Sequence, residues 1–270
     1  MMKKINFIAV FSLLFMMMTG MIFTSCGNSE NAGKEPENSS VESSEITDTH
    51  LSADVETSES ENTVSEKTDS EANKTPASMA DALFIGDSRT VGIMEYAGLN
   101  EATFFCDTGM SVFNVRKNRI SVPSIGKVTL DELLADKKYG KIYIMLGINE
   151  LGYEFNSIVD KYSELIDFVK NTQPDAAVFL QANLHVSKKR SDSDKVINNA
   201  AINKLNTELS KIADNKKIFY LDANVLFDDA NGNLDAGKTQ DQAHLLGKYY
   251  AEWGDWIRSE SANYSTVNNN

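Results

Sequence analysis

"ALFIGDSRTVG", residues 82 to 92, sets a short apolar run against a polar turn and then a helical pattern. An apolar run without alternation suits a strand buried on both faces, as in a parallel sheet. The "TVGIMEYAG" that follows has helical spacing, so the stretch is the first half of a β-α unit. Ser88 then stands at the carboxyl end of the strand, the edge where open parallel sheets bind ligands. Two roles compete for it. Serine is a preferred helix N-cap, and a serine at the rim of a sheet also suits a nucleophile, provided a base and an orienting acid are found.

The same rhythm runs from about Ala80 to about Ser261. Further strands are expected at "TFFC" (103–106), "KIYIML" (141–146), "AVFLQA" (177–182) and "IFYLD" (218–222). Helices are expected at "TLDELLADKK", at "FNSIVDKYSELIDFVKN", at "SDKVINNAAINKLNTELSKIAD" and at "HLLGKYYAEWGDWIRSE". In the second of these Ile158, Tyr162, Ile166 and Val169 recur on one face, and Pro174 lies just past the end. Strands alternating with helices predict an α/β fold: a parallel sheet of about five strands, right-handed crossovers, and helices on both faces. Roughly 180 residues are enough for one such core. The topology also places Gly109, after the second strand, and Asn149, after the third, on the same edge as Ser88.

Upstream the chain has a different character. Lys3 and Lys4 precede an apolar stretch that ends in "FTSC", the layout of an export segment. A membrane anchor of roughly 20 apolar residues has nearly the same length. The cysteine favours another reading, because "FTSC" resembles a bacterial lipoprotein signal, with Phe23 where such signals more often carry leucine. That resemblance implies cleavage after residue 25, lipid on Cys26, and a protein held on the outer face of a bacterial membrane. Residues 26–79 are rich in Ser, Glu, Asn and Thr and nearly free of large apolar side chains, so they read as a disordered acidic tether. The tether includes His50 and carries much of the formal charge of −13. Such acidity argues against a nucleic-acid partner, which needs a basic footprint. The expected organisation is a signal peptide (1–25), the tether, a folded domain (80–260) and a polar tail (261–270).

Only two cysteines occur. With Cys26 assigned to lipid, Cys106 is alone in an apolar run and reads as a buried small hydrophobe. No paired cysteines accompany His185 and His244, so a zinc site is poorly supported, and no cofactor is expected.

His244 stands three residues after Asp241 in "DQAH", which supplies a base and an orienting acid from one turn. The chain order is then Ser, Asp, His. At this point four stretches together resemble the SGNH, or GDSL-type, hydrolases. They are "FIGDSR" through Ser88, "CDTGMS" through Gly109, "MLGINELG" through Asn149, and "DQAH", in the family's order. The resemblance implies a flavodoxin-like three-layer sandwich and a serine esterase. It also implies that Ser88, Asp241 and His244 are catalytic, and that the Ser88 and Gly109 amides and the Asn149 side chain meet the oxyanion.

Two residues depart from the family pattern: Arg89 replaces a leucine, and Glu150 follows Asn149 where aspartate is common. Arg89 could contact an anionic substrate group, with a solvent-facing or structurally paired arginine as the alternative. Glu150 and His185 are further candidate substrate contacts, His185 with a structural role as the alternative. "GNLDAGKT" (232–239) fits the P-loop pattern, but Asp228, Asp229 and Asp235 crowd it and several polar residues separate it from the fifth strand, which favours a chance match. Around Ser88 the chain reads G-x-S-x-T, not G-x-S-x-G, which disfavours the larger α/β-hydrolase fold. The expected activity is hydrolysis of short O-acyl esters on an extracellular or cell-wall glycan. The alternatives are a glycan O-acyltransferase with the same site and a noncatalytic glycan-binding lipoprotein.

Overall fold

A computed structural model describes residues 76 to 265. The expected signal peptide, Cys26 and residues 26 to 75 of the tether lie outside the described residues, as do residues 266 to 270.

Strand β1 (Ala82–Gly86) leads through Asp87 into helix α1 (Ser88–Tyr96) and on to β2 (Thr103–Cys106). A hairpin of β3 (Ile120–Val122) and β4 (Gly126–Val128) precedes α2 (Leu130–Asp136) and β5 (Lys141–Met145). Then follow α3 (Phe155–Thr172), β6 (Ala177–Gln181), α4 (Lys188–Ser193), α5 (Asn199–Ile212), β7 (Ile218–Leu221), α6 (Asn224–Phe227) and α7 (Gly247–Ser265). The five longer-range strands form one parallel sheet in the order β2-β1-β5-β6-β7. Counting these strands alone, the order is 2-1-3-4-5, the flavodoxin-like arrangement. Its direction of travel reverses between β1 and β5, so a crevice opens at their carboxyl ends.

Each apolar run is two interleaved sets of side chains. Leu83, Ile85, Ile142, Ile144, Val178 and Leu180 pack with side chains of α2, α3 and α5. Their neighbours Phe84, Phe104, Tyr143, Phe179 and Phe219 face α1 and α7. Burial of both sets explains why the strands read as continuous and not alternating. On the α1/α7 face every strand contributes one aromatic ring. Phe104, Phe84, Tyr143, Phe179 and Phe219 lie side by side in register, with successive centroids 4.9, 4.4, 4.8 and 5.4 Å apart. Such pairs each contribute about 0.5 to 1.5 kcal/mol beyond the area they bury.

The structure corrects several sequence boundaries. The final helix begins at Gly247, so His244 lies in the turn before it. It also runs past the expected start of the polar tail: Ser261 is buried, sharing a hydrogen bond with the Tyr143 hydroxyl, and the Tyr264 ring packs on Phe179 and Phe219. The helix expected from residue 193 begins at Asn199. Asp194 Oδ1 accepts the Val196 and Ile197 N–H groups, and the Asn198 side chain accepts from Ala201 N, so the turn stops one helix and caps the next. The β3/β4 hairpin and α4 lie where no element is expected.

Candidate active site

Asp87, and not Ser88, caps α1: its side chain accepts the Arg89 N–H at 3.0 Å. Ser88 is thereby the first helical residue, and its hydroxyl is free for another partner. That partner is His244, whose Nε2 lies 2.8 Å from Ser88 Oγ. The Ser88 N–H belongs to the first turn of the helix, where amides have no carbonyl one turn back.

His244 is oriented by Asp241. Asp241 Oδ2 lies 2.6 Å from His244 Nδ1, and Oδ1 accepts the backbone N–H groups of Ala243 at 3.0 Å and His244 at 2.8 Å. One carboxylate therefore holds both the ring and the backbone of the same residue. Burial pushes the Asp241 pKa up, but the N–H donors and the imidazole outweigh it and bring the pKa down to about 2. The carboxylate is thus ionised through any ordinary pH, and Nδ1 is the protonated nitrogen. The lone pair on Nε2 then faces Ser88.

Gln242 makes this turn possible, although nothing in the residues around it singles it out. It is one of the non-glycine residues with positive φ, at 72°. Its carbonyl accepts the Ser187 N–H at 2.9 Å, its own N–H donates to Thr239 Oγ1 at 2.9 Å, and its side chain accepts from Ser187 Oγ at 3.4 Å. The turn that carries the base is tied in this way to the segment after β6.

Gly109 and Asn149 converge with Ser88 at the same edge. Asn149 Nδ2 donates to Met110 O at 2.9 Å, which uses one of its two hydrogens and leaves the other. Gly109 is exposed with φ of 78°, a left-handed conformation suited to glycine. Gly147 has φ of 127°, and a Cβ there would lie 2.5 Å from Leu205 Cδ2. Glu150, next to Asn149, accepts the Val112 N–H at 2.6 Å. Two adjacent side chains therefore anchor the loop from Gly109 to Val112.

The three candidate substrate contacts are placed otherwise. Arg89 is 1% exposed and grips Asp87 with two N–H groups, Nε to Oδ1 at 3.1 Å and Nη2 to Oδ2 at 2.7 Å, while Nη2 also reaches Asn183 Oδ1. It is structurally paired and does not meet substrate. Glu150 is fully buried, its Oε2 has no partner, and burial raises its pKa to about 7. His185 is buried between Asp228 Oδ2 and Asn203 Oδ1, each 2.7 Å from a ring nitrogen. Burial pushes its pKa down, but the Asp228 carboxylate outweighs that and the net shift is upward. It braces the end of β6 against α5 and α6.

The other motifs resolve simply. In the P-loop-like stretch Asp235 Oδ1 occupies the Gly237 N–H at 2.8 Å, and Lys238 Nζ is spent on the Leu226 carbonyl. Cys106 is buried, and desolvation pushes its thiol up to about 12. Among the described residues no group of three or more His, Cys, Asp or Glu side chains is gathered as metal ligands.

The GDSL-like lipase/acylhydrolase family model matches residues 84–251, more than half of the chain. The chain belongs to this family. Solved structures agree on the fold. A GDSL-like lipase from Bacteroides thetaiotaomicron is 16% identical, with a TM-score of 0.52 over 72% of this chain and 94% of its own. A protein assigned as an acylhydrolase from Bacteroides fragilis is 16% identical, with a TM-score of 0.52 over 68% and 86%. A protein from Streptococcus pneumonia assigned as a platelet activating factor is 19% identical, with a TM-score of 0.52 over 67% and 82%. No curated protein matches the sequence. In this GDSL-like hydrolase the stretches around Ser88, Gly109 and Asn149 follow β1, β2 and β5, and His244 joins them through its hydrogen bond to Ser88.

An unfolded glutamate titrates at about 4.3, whereas burial raises Glu150 in the fold to about 7. Between those values the folded state holds a proton that the unfolded state has released, so stability falls as pH rises through the window. Glu150→Gln removes this dependence while keeping an acceptor for Val112. Its stability relative to wild type, from urea unfolding, should rise by up to about 3 kcal/mol between pH 4.5 and 8; a constant difference would contradict the burial argument. At residue 242, Gln242→Gly should keep most turnover of 4-nitrophenyl acetate. Gln242→Val should lose about 1 to 2 kcal/mol of stability and turn over more slowly, because a β-branched residue resists positive φ. Equal behaviour of the two variants would show that the left-handed turn is not a requirement.

Proposed function

We propose that this hydrolase is a serine esterase that removes short O-acyl groups, acetyl foremost, from glycans outside the cell. The observation that carries the reading is the hydrogen-bonded chain from Ser88 Oγ through His244 to Asp241, set beside Gly109 and Asn149. In the proposed reaction Ser88 Oγ attacks the ester carbonyl carbon while His244 Nε2 takes its proton. The Ser88 and Gly109 amides and the free Asn149 hydrogen meet the oxyanion. Collapse expels the sugar hydroxyl, which takes the proton from His244 and leaves an acyl-Ser88. Water then attacks with His244 again as base, releasing the carboxylic acid and the serine. Asp241, ionised to about pH 2, stabilises the imidazolium in both halves.

A sugar leaving group, with hydroxyls at its edge and C–H bonds on its face, suits mixed surroundings. A groove of about 680 Å³ beside the Asp241 turn is lined by Ser187, Lys189, Thr239, Gln240 and Gln242 together with Leu234 and Ala236. The glycan assignment also rests on location: "FTSC" and the long polar stretch after it support a lipid on Cys26 and a reach beyond the membrane surface.

Purified protein should hydrolyse 4-nitrophenyl acetate and take a fluorophosphonate label at Ser88. Ser88→Ala should lose both, and Asn149→Ala should lower kcat about 10² to 10³-fold with the fold intact. Wild type that neither hydrolyses nor labels would defeat the esterase reading. In a bacterial host, radiolabelled palmitate should enter the full chain and not Cys26→Ser; labelling of both, or of neither, would remove the anchor.

A further inference from the structure

We infer that Phe113 and Tyr153 form an aromatic platform beside the ester-cleaving site and take the pyranose ring that carries the acyl group. The inference rests on the esterase reading above and adds a sugar subsite to it. The two rings come from the two segments that present the oxyanion donors. Phe113 follows Gly109 and Met110 on one loop, and Tyr153 follows Asn149 on the other. The loops are bound together by Asn149 Nδ2 to Met110 O at 2.9 Å and by Val112 N to Glu150 Oε1 at 2.6 Å, and within the second loop Tyr153 N donates to Glu150 O at 2.8 Å. Motion of the rings relative to the oxyanion donors is thereby limited.

The ring centroids lie 5.1 Å apart at an interplanar angle of 42°. Phe113 is half-buried against the core, whereas Tyr153 leaves 66% of its surface in solvent. Large apolar side chains that exposed need a reason when they cluster, and a second one stands close by. Val196, 45% exposed, approaches Gly152, where a Cβ would meet its Cγ1 at 3.3 Å. Val196 in turn shares a groove of about 520 Å³ with Asp241, Gln242, Ser193 and Lys195. The rim of the site therefore has aromatic and aliphatic faces on one part and hydroxyl, amide and ammonium groups on the other.

A pyranose fits that division. One face of its ring is a sheet of C–H bonds that can lie on an aromatic ring, and its edge is a row of hydroxyls that need donors and acceptors. A long acyl chain needs apolar surface on all sides, whereas Tyr153 stands 66% in solvent.

Hydrolysis is followed by proton release at constant pH with two substrates, ethyl acetate and a mono-O-acetylated methyl glucopyranoside. The readout is the ratio of kcat/KM for the sugar ester to that for ethyl acetate. Tyr153→Ala should lower this ratio about tenfold, chiefly through KM, with an unchanged circular dichroism spectrum. Tyr153→Phe, which keeps the ring, should retain the wild-type ratio. A ratio unaltered by Tyr153→Ala, or a wild type that cleaves ethyl acetate and not the sugar ester, overturns the platform and leaves the esterase reading standing. A wild type that cleaves neither ester overturns both.

Discussion

The buried ion pair between Asp87 and Arg89 is the constraint on which the site is built. A carboxylate at the N-terminus of α1 satisfies an orphan amide and suits the helix dipole, but a carboxylate with no exposed surface costs several kcal/mol unless paired. Arg89 supplies the pairing with a two-pronged contact, and it then carries the network further. Its Nη2 donates to Asn183 Oδ1 just beyond β6, and Asn183 is held by Asn206 of α5 through three hydrogen bonds. The ends of β1 and β6 and one helix are locked by a residue that a family comparison would record only as a departure. Because Asp87 does the capping, the Ser88 hydroxyl is released for His244.

Carboxyl groups around Ser88 are tuned in opposite directions. Asp241 lies near the surface and gathers two backbone N–H donors and an imidazole, so it stays charged to about pH 2. Glu150 lies deeper, accepts one N–H, and is pushed to about 7. The difference is useful for chemistry at the sheet edge. A negative charge beside His244 stabilises the imidazolium, whereas one beneath Asn149 would oppose a developing oxyanion. Burial moves Glu150 toward the neutral form that avoids this, while its carbonyl-like oxygen continues to hold the Val112 loop.

Much of this was readable in the chain because it is local. Five doubly buried strands announce themselves as apolar runs, and Ser88, Gly109, Asn149 and the Asp241/His244 pair sit in short blocks. What was hidden is what depends on distant partners. Asp87 and Ser88 are both good caps, and it is the buried pairing of Asp87 with Arg89 and Asn183 that settles the cap on Asp87. Arg89, Glu150 and His185 are charged or polar letters whose burial is set by Asp87, Val112 and Asp228 across the fold. Each strand visibly carries an aromatic residue, yet the continuous row of rings depends on register between strands. The sign of φ at Gln242 leaves no mark on composition at all.

The parts of the site are consequently held by unequal means. Ser88 and Asn149 extend from neighbouring strands whose register pairs Gly86 with Met145, and the aromatic row fixes those strands against each other. Their separation is set by the sheet itself. His244 arrives 156 residues after Ser88, from a turn outside any helix or strand. Its placement depends on Asp241, on the left-handed Gln242, and on the bonds from that residue to Ser187. The segment after Ser187 is also the one that lines both grooves. Because Gln242 is bonded to Ser187, any displacement of that segment would move the turn that sets the base against the serine, so the alignment of the proton transfer depends on a support outside the sheet.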